Sequence, residues 1–573
     1  MSNLQDLKDA GESSVVDKQT GQVYELDLTA YSNDSEKQHE ISEGPEAGGH
    51  ALKKGLKSSH IQLIAIGGCI GTGLFVGTSA TLNKCGPAGL FISYCIMSTV
   101  IYPVMNALAE MVCFLPGLPN NDETGGSIST LVTRYVDPSL GFAVGWNYVY
   151  CYIILVAAEC TAASGVVTYW TTAVPKAVWI TIFIGVIVLL NFTAVEFYGT
   201  SEAIFCSLKV LCILGIILVS IVLFFGGGPN HDRLGFRYWD HPGAWAYHLA
   251  KGNSGRFSDI VTGIIRAGFA FILGPELVVL TSTEAQDSRR NIEKAARRFI
   301  WRLIFFYCVS SLCAGVIVSR TDPVLVNALN QGKAGAGSSP FVIGIQNAGI
   351  KVLPHIINVC ILSSAWSSGN SFMYATSRSL LSLAQDGYAP KVFKRVNRFG
   401  VPYAGVACGT IVSCLAYLNV SSSTADVFNW FSNISTISGF LGWMCAGVAY
   451  LRFRKAVFYN DLYSRLPFKT PFQPYLTYFY VIFIGLICLV NGYESLVHWS
   501  YKDFIAAYIT LPAFVALWVG HKAYTRTWSQ WFIPVHQIDV TTGLREIEEE
   551  TKELDAKRIP PRNLWEKILN WLF

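Results

Sequence analysis

The chain has 573 residues, 51% of them hydrophobic and only 14% charged, with a formal charge of +4 and a mean hydropathy of +0.38. That balance excludes an ordinary soluble globule. The absence of any nucleophile–base pair or metal set in a polar domain excludes an enzyme, and nothing marks nucleic acid as a partner. Residues 1–51 read as an acidic tail, since the first fifty carry eleven Asp or Glu against three Lys. Such a segment cannot bury enough apolar surface to fold, so it is expected to be disordered and cytosolic. It has no apolar h-region, and the first membrane span is expected to start insertion itself.

From residue 52 to 524 the chain reads as a transmembrane transporter domain. A span needs ~20 apolar residues, and about twelve candidates follow in order: 61–82, 88–113, 138–168, 177–195, 203–226, 259–282, 299–319, 352–384, 402–418, 426–451, 475–493 and 503–523. They are numbered spans 1 to 12 below. Residues 525–573 form a second tail, in which Glu546, Glu548, Glu549, Glu550 and Glu553 suggest a short acidic helix against the inner face. Basic residues favour the cytoplasmic side. With the N-terminus inside, the inner loops and flanks hold 21 Lys and Arg against 10 in the outer set, so both termini are expected to be cytosolic. The fifteen cysteines show no metal-binding spacing and read as small packing residues.

Two glycine-rich interruptions lie inside spans: Gly67-Gly68-Cys69-Ile70-Gly71-Thr72-Gly73 in span 1 and Ile272-Leu273-Gly274-Pro275-Glu276 in span 6. Unpaired backbone is costly in hydrocarbon, so irregular chain survives there only where it lines a cavity or meets a polar ligand. Five spans separate the breaks. If spans 1–5 and 6–10 are repeats, the second enters the membrane from the opposite side, which gives a five-plus-five inverted repeat with spans 11 and 12 peripheral.

In span 1, Gly71, Thr72 and Gly73 offer consecutive N–H groups at a half-helix start, where a carboxylate fits. In span 6, Pro275 frees the Phe271 carbonyl, and Gly274 relieves the departure from helix. That carbonyl and its neighbours, Ala270 among them, can accept from an amine. One break for the acid and one for the amine define an α-amino acid. The alternative for either break alone is close helix packing or a plain kink.

Glu159, Lys209 and Glu276 fall inside spans, where a charge needs a partner or a proton. Glu276 either braces the unwound backbone or titrates. Lys209 either exchanges a proton or holds a static bond to helix-end carbonyls. Glu159 either touches substrate or bonds between helices. Arg266 reads as a side chain snorkelling to the interface, and Glu110 and Arg378 read as helix-end charges or gate charges.

The motifs Gly-Gly-Cys-Ile-Gly-Thr-Gly-Leu-Phe from Gly67, Cys-Gly-Pro-Ala-Gly from Cys85 and Phe-Ala-Phe-Ile-Leu-Gly-Pro-Glu from Phe269 resemble those of fungal amino-acid permeases, within the amino acid–polyamine–organocation superfamily. The similarity runs from about residue 52 into the C-terminal tail. It is closest to proline permeases, through residues 132–139, 228–237 and 429–436. The resemblance implies an all-α fold in the lipid bilayer of the plasma membrane, with discontinuous spans 1 and 6 and H⁺-coupled uptake. No bound cofactor is expected; H⁺ is the coupling ion. Similar transporters hold Na⁺ between spans 1 and 8, and some proton-coupled relatives place a span-5 lysine there, which Lys209 matches.

The resemblance also implies that Phe269 is a gate or selectivity residue and that Trp366 and Thr436 line the pocket, with helix packing as the alternative for the latter two. Arg266 departs from the lysine of the proline permeases, which alters donor geometry. The loop after span 2, Leu118 to Ser127, departs from the usual pattern as well. Proline's two N–H donors suit two free carbonyls, and Ile70 or Phe269 can wall its ring; alanine, glycine and γ-aminobutyrate pass the same size test. A broad-specificity permease and a non-transporting amino-acid receptor are the competing functions. Lys8, Lys18 and Lys37 resemble ubiquitin acceptors of related permeases, which would bring ubiquitin-ligase machinery as a partner.

Overall fold

The computed structural model describes residues 14–16, 23–25, 63, 70–116, 127–193, 195–272, 274–284, 287–330, 339–420, 424–556 and 563. The chain divides into two units, residues 1–49 and 50–573. In the first, Ser14–Val16 (β1) pairs antiparallel with Val23–Glu25 (β2). Two short strands alone are marginal in water. The tail lysines Lys8, Lys18 and Lys37 lie outside the described residues.

In the second unit the described elements are helical. Eight described helices are long and apolar enough to cross a membrane, and the pair Tyr501–Tyr508 and Thr510–Thr525, bent by 41°, makes a ninth. The expected twelve are reached through three further features. Gly77–Phe114 is two spans joined at Gly86, whose φ of +75° suits glycine and whose Cβ would stand 2.5 Å from the Ala244 carbonyl oxygen. Span 4 is the short apolar helix Lys176–Asn191. Span 8, Leu353–Gln385, carries buried serines and asparagines that lower its hydropathy.

Several helices run past the expected boundaries: span 6 begins at Gly252, seven residues early, and span 10 continues to Tyr459, eight residues late. Span 5 runs over Val195–Phe224, eight residues earlier than expected. Span 7 begins with the basic helix Ser288–Leu303, capped by Asp287, which projects the span beyond its apolar part. Span 3, Pro138–Val167, is the centre of the bundle, 94% buried over its apolar window. Span 11, Tyr475–Val497, is 39% buried over its window, as a peripheral helix should be.

The loops between spans 2 and 3, 6 and 7, and 10 and 11 share one face, and the C-terminal segment is strapped across it. Arg134 pairs with Asp539 at 2.6 Å, Arg465 with Glu548 at 2.6 Å and Arg290 with Asp555 at 2.5 Å. The last two carboxylates belong to the helix Leu544–Ala556, whose Leu544 and Ile547 are buried. Behind the strap, Lys522 and Asp137 form a buried pair at 3.0 Å.

Candidate functional site

Gly71 is extended (φ −122°, ψ −168°) and opens the short helix Thr72–Phe75, so a helix N-terminus, whose first amides have no intrahelical acceptor, lies within span 1. Gly67, Gly68 and Cys69 lie outside the described residues. Span 6 breaks after Phe271: Ile272 is extended (ψ 145°) and the helix resumes at Gly274.

The two breaks touch. A Cβ on Gly73 would stand 2.8 Å from the Ala270 Cα and 3.0 Å from the Phe269 ring. Behind span 6, a Cβ on Gly268 would meet Phe440 at 2.5 Å and Thr436 at 2.9 Å, which places Thr436 of span 10 against the start of the break. Phe269 meets Phe428 edge to face at 5.4 Å. The Ala270 carbonyl accepts from Tyr307 of span 7 at 2.7 Å, and Tyr307 stacks on Phe271 with ring centres 4.1 Å apart.

The charged side chains converge on the span-1 helix start. Glu159 of span 3 accepts from the Thr72 hydroxyl at 3.0 Å through Oε1, so a carboxylate already sits where the amides point. Its Oε2 is buried without a hydrogen-bond partner among the described residues. Lys209, fully buried, donates to Ser368 of span 8 at 3.4 Å. A Cβ on Gly71 would stand 3.2 Å from that same Ser368 oxygen and 3.5 Å from Glu159 Oε1. One turn earlier on span 8, Ser364 donates to the Ile70 carbonyl at 3.1 Å. Spans 1, 3, 5 and 8 are thus joined through one serine face. The attraction between Glu159 and Lys209 offsets part of the cost of burying each.

Glu276 lies away from this cluster. It accepts from the Trp443 indole at 2.5 Å and from the Tyr148 hydroxyl at 3.4 Å, which ties the restarted span 6 to spans 10 and 3. Trp366 is not brought to the breaks. It packs on Phe205 at 5.5 Å, and its offset of two residues from both Ser364 and Ser368 puts it on the opposite side of the helix. Glu110 is bonded by Tyr450 and the Thr470 amide, and Arg378 lies over the Tyr374 ring at 4.1 Å. Arg266, expected to snorkel to the interface, is paired with Glu494 at 3.2 Å.

Sequence reasoning missed four participants. Ser364, Ser368 and Tyr307 carry no signal beyond a polar atom in an apolar helix. Glu202 is fully buried and accepts from Ser367 at 2.6 Å; it fell one residue outside the expected start of span 5.

Two interrupted helices facing each other inside a multi-pass helical bundle, with charge gathered at one helix start, define a membrane transporter and not an enzyme. The amino acid permease family model matches residues 60–534, and the chain belongs to that family. It is 68% identical over 525 residues to the proline-specific permease of Saccharomyces cerevisiae, covering 91% of this chain and 83% of that one. It is 48% identical over 525 residues to the proline-specific permease of Emericella nidulans, covering 91% and 94%. Among solved structures it is similar to Mhp1, a nucleobase-cation-symport-1 family transporter with bromovinylhydantoin bound, over 86% of this chain and 96% of that one, at 14% identity and a TM-score of 0.44.

Proposed function

We propose that this chain is a proton-coupled symporter that imports proline, and other small neutral amino acids such as alanine, glycine and γ-aminobutyrate, across the plasma membrane, with both termini cytosolic. The names of the two permeases above support proline as cargo. The geometry supports a zwitterion: amides at the Gly71–Gly73 helix start for the carboxylate, and carbonyls at the Phe271 break for the amine.

The observation that carries the proton step is Glu159. Its carboxylate lies at the anion position of the helix start beside Thr72, where it competes with a substrate carboxylate. Protonation removes that competing charge and leaves the amides to the cargo, while Lys209, held by Ser368, responds to the change in charge beside it. Proton and amino acid therefore bind together and leave together. The acidic N-terminal tail, with Lys8, Lys18 and Lys37 as ubiquitin acceptors, would place turnover under a ligase.

The test is radiolabelled proline uptake in cells lacking their own carriers, with a competitor panel and a protonophore. Uptake is expected to collapse with the proton gradient and to be competed by small neutral amino acids. Accumulation that survives the protonophore would refute symport. Binding without flux would favour a receptor.

A further inference from the structure

On the face opposite the C-terminal strap, a cavity of about 290 Å³ opens where span 1 ends and spans 6 and 10 begin, against the turn between spans 11 and 12. Its polar centre is built. Lys84 and Arg266 converge on the same oxygen, Glu494 Oε2, at 2.7 and 3.2 Å. Glu494 Oε1 and Arg266 Nε are buried and have no hydrogen-bond partner among the described residues. Two cations thus share one carboxylate, with donor and acceptor capacity left over.

Asp426 and Asp503 line the same cavity. So does His248, whose imidazole is held below its ordinary value by burial and then by Lys84, and stays neutral at neutral pH. Both signs of charge are present, which suits a small zwitterion better than a plain anion or cation. The volume is near the lower end for small-molecule pockets, ~300 Å³.

The place of this cavity gives it meaning. Arg266 is one turn before Phe269 on span 6, and Asp426 is two residues before Phe428 on span 10. The aromatic pair Phe269 and Phe428 therefore lies deeper on the same two helices, and the break residues follow beyond it.

We propose that this cavity is a second amino-acid site, an anteroom where Lys84 and Arg266 take the carboxylate of incoming cargo in exchange for Glu494, before the cargo passes the Phe269–Phe428 pair. Glu494, once displaced, joins Asp426 and Asp503 in facing the ammonium. The exchange replaces one carboxylate by another on the same cations, so binding is weak and release inward is easy. The inference rests on the chain being an amino-acid transporter that takes proline.

The test is equilibrium binding of radiolabelled proline to the purified full chain in lipid nanodiscs, up to tens of millimolar. Two sites per chain are expected, the weaker at least tenfold looser. Lys84→Gln should remove only the weaker one and raise the KM for uptake about tenfold at unchanged kcat, whereas Lys84→Arg should keep both sites. Retention of the tight site in the Gln variant reports correct folding. A single site in the unaltered protein over that range, or two sites persisting in both Lys84→Gln and Arg266→Gln, would overturn the anteroom and leave the transporter reading intact. No proline binding at either site would instead refute proline as cargo.

Discussion

Gly73 offers the sharpest test of the touching breaks. A methyl there would lie 2.8 Å from the Ala270 Cα, 3.0 Å from Phe269 Cδ1 and 3.1 Å from the Ala270 Cβ. Carbon atoms rest comfortably at about 3.5–4.0 Å, so spans 1 and 6 must part by about 1 Å. The nearest obstacle is backbone, which has no rotamer to escape into. Overpacking of this kind costs ~1–3 kcal/mol, and a displacement of ~1 Å in a positioned site costs ~100-fold in rate. Gly73→Ala is therefore expected to lower initial proline uptake about 10–100-fold by those same principles. The matched control is Gly77→Ala, one helical turn further on, where a Cβ would meet nothing within 4 Å; its uptake should stay within about 2-fold of the unaltered chain, as for a substitution worth less than ~0.5 kcal/mol. The assay is initial-rate uptake of radiolabelled proline, divided by protein at the cell surface. Normal uptake by Gly73→Ala, or an equal loss in both variants, would refute the contact between the breaks as the cause.

Lys209→Met should reach the surface normally yet fail to accumulate proline above the outside concentration; normal accumulation would remove Lys209 from coupling. Trp443→Phe deprives the buried Glu276 of its 2.5 Å indole donor. A lost bond to a charged group is worth ~1–3 kcal/mol, so both the melting temperature in detergent and the uptake rate should fall, and unchanged values would count against bracing. The C-terminal strap carries a pH prediction. Burial pushes the Asp539 carboxyl up, but the Thr542 and Thr541 amides and the Arg134 guanidinium outweigh it and hold it at about 2, against an ordinary 3.8. A depressed carboxylate contributes stability that is complete above its unfolded value and is lost only as pH falls towards about 2. Limited proteolysis of the strap should therefore be unchanged from pH 5 to 8, whereas Arg134→Ala should expose it; strap release within that pH window would contradict the pairing.

Much of this was legible in the sequence because lipid imposes simple demands. Glycine and proline interrupting apolar runs located both breaks. What escaped has physical causes. Trp366 carried two readings, pocket lining by resemblance or helix packing; a helix fixes direction by its 100° step per residue, and the serines at 364 and 368 take the face turned to span 1 while Trp366 packs on Phe205. Glu202 escaped because hydropathy marks where chain becomes apolar, whereas the helix itself begins at Val195. Span 8 reads as only moderately apolar, yet its serines are buried where they join spans 1 and 5. Composition averages over a helix, and function here depends on which single polar atom faces which neighbour.

Ser368 illustrates that dependence. Its hydroxyl receives Lys209 and lies beside the Cα–H of Gly71, so the ammonium and the span-1 helix start share one small group. A methyl at Gly71 would crowd the Ser368 hydroxyl at 3.2 Å and come into contact with Glu159 Oε1 at 3.5 Å. On the proposed reading, the charge that senses the proton and the amides that hold the cargo therefore cannot move independently: a shift of span 1 relative to span 8 changes the setting of Lys209, and a change in charge at Lys209 or Glu159 alters how span 1 rests on span 8. Coupling of this kind is reciprocal by thermodynamic necessity. It follows that a variant weakening cargo binding through Gly71 should also shift the pH dependence of transport, although Gly71 itself carries no proton.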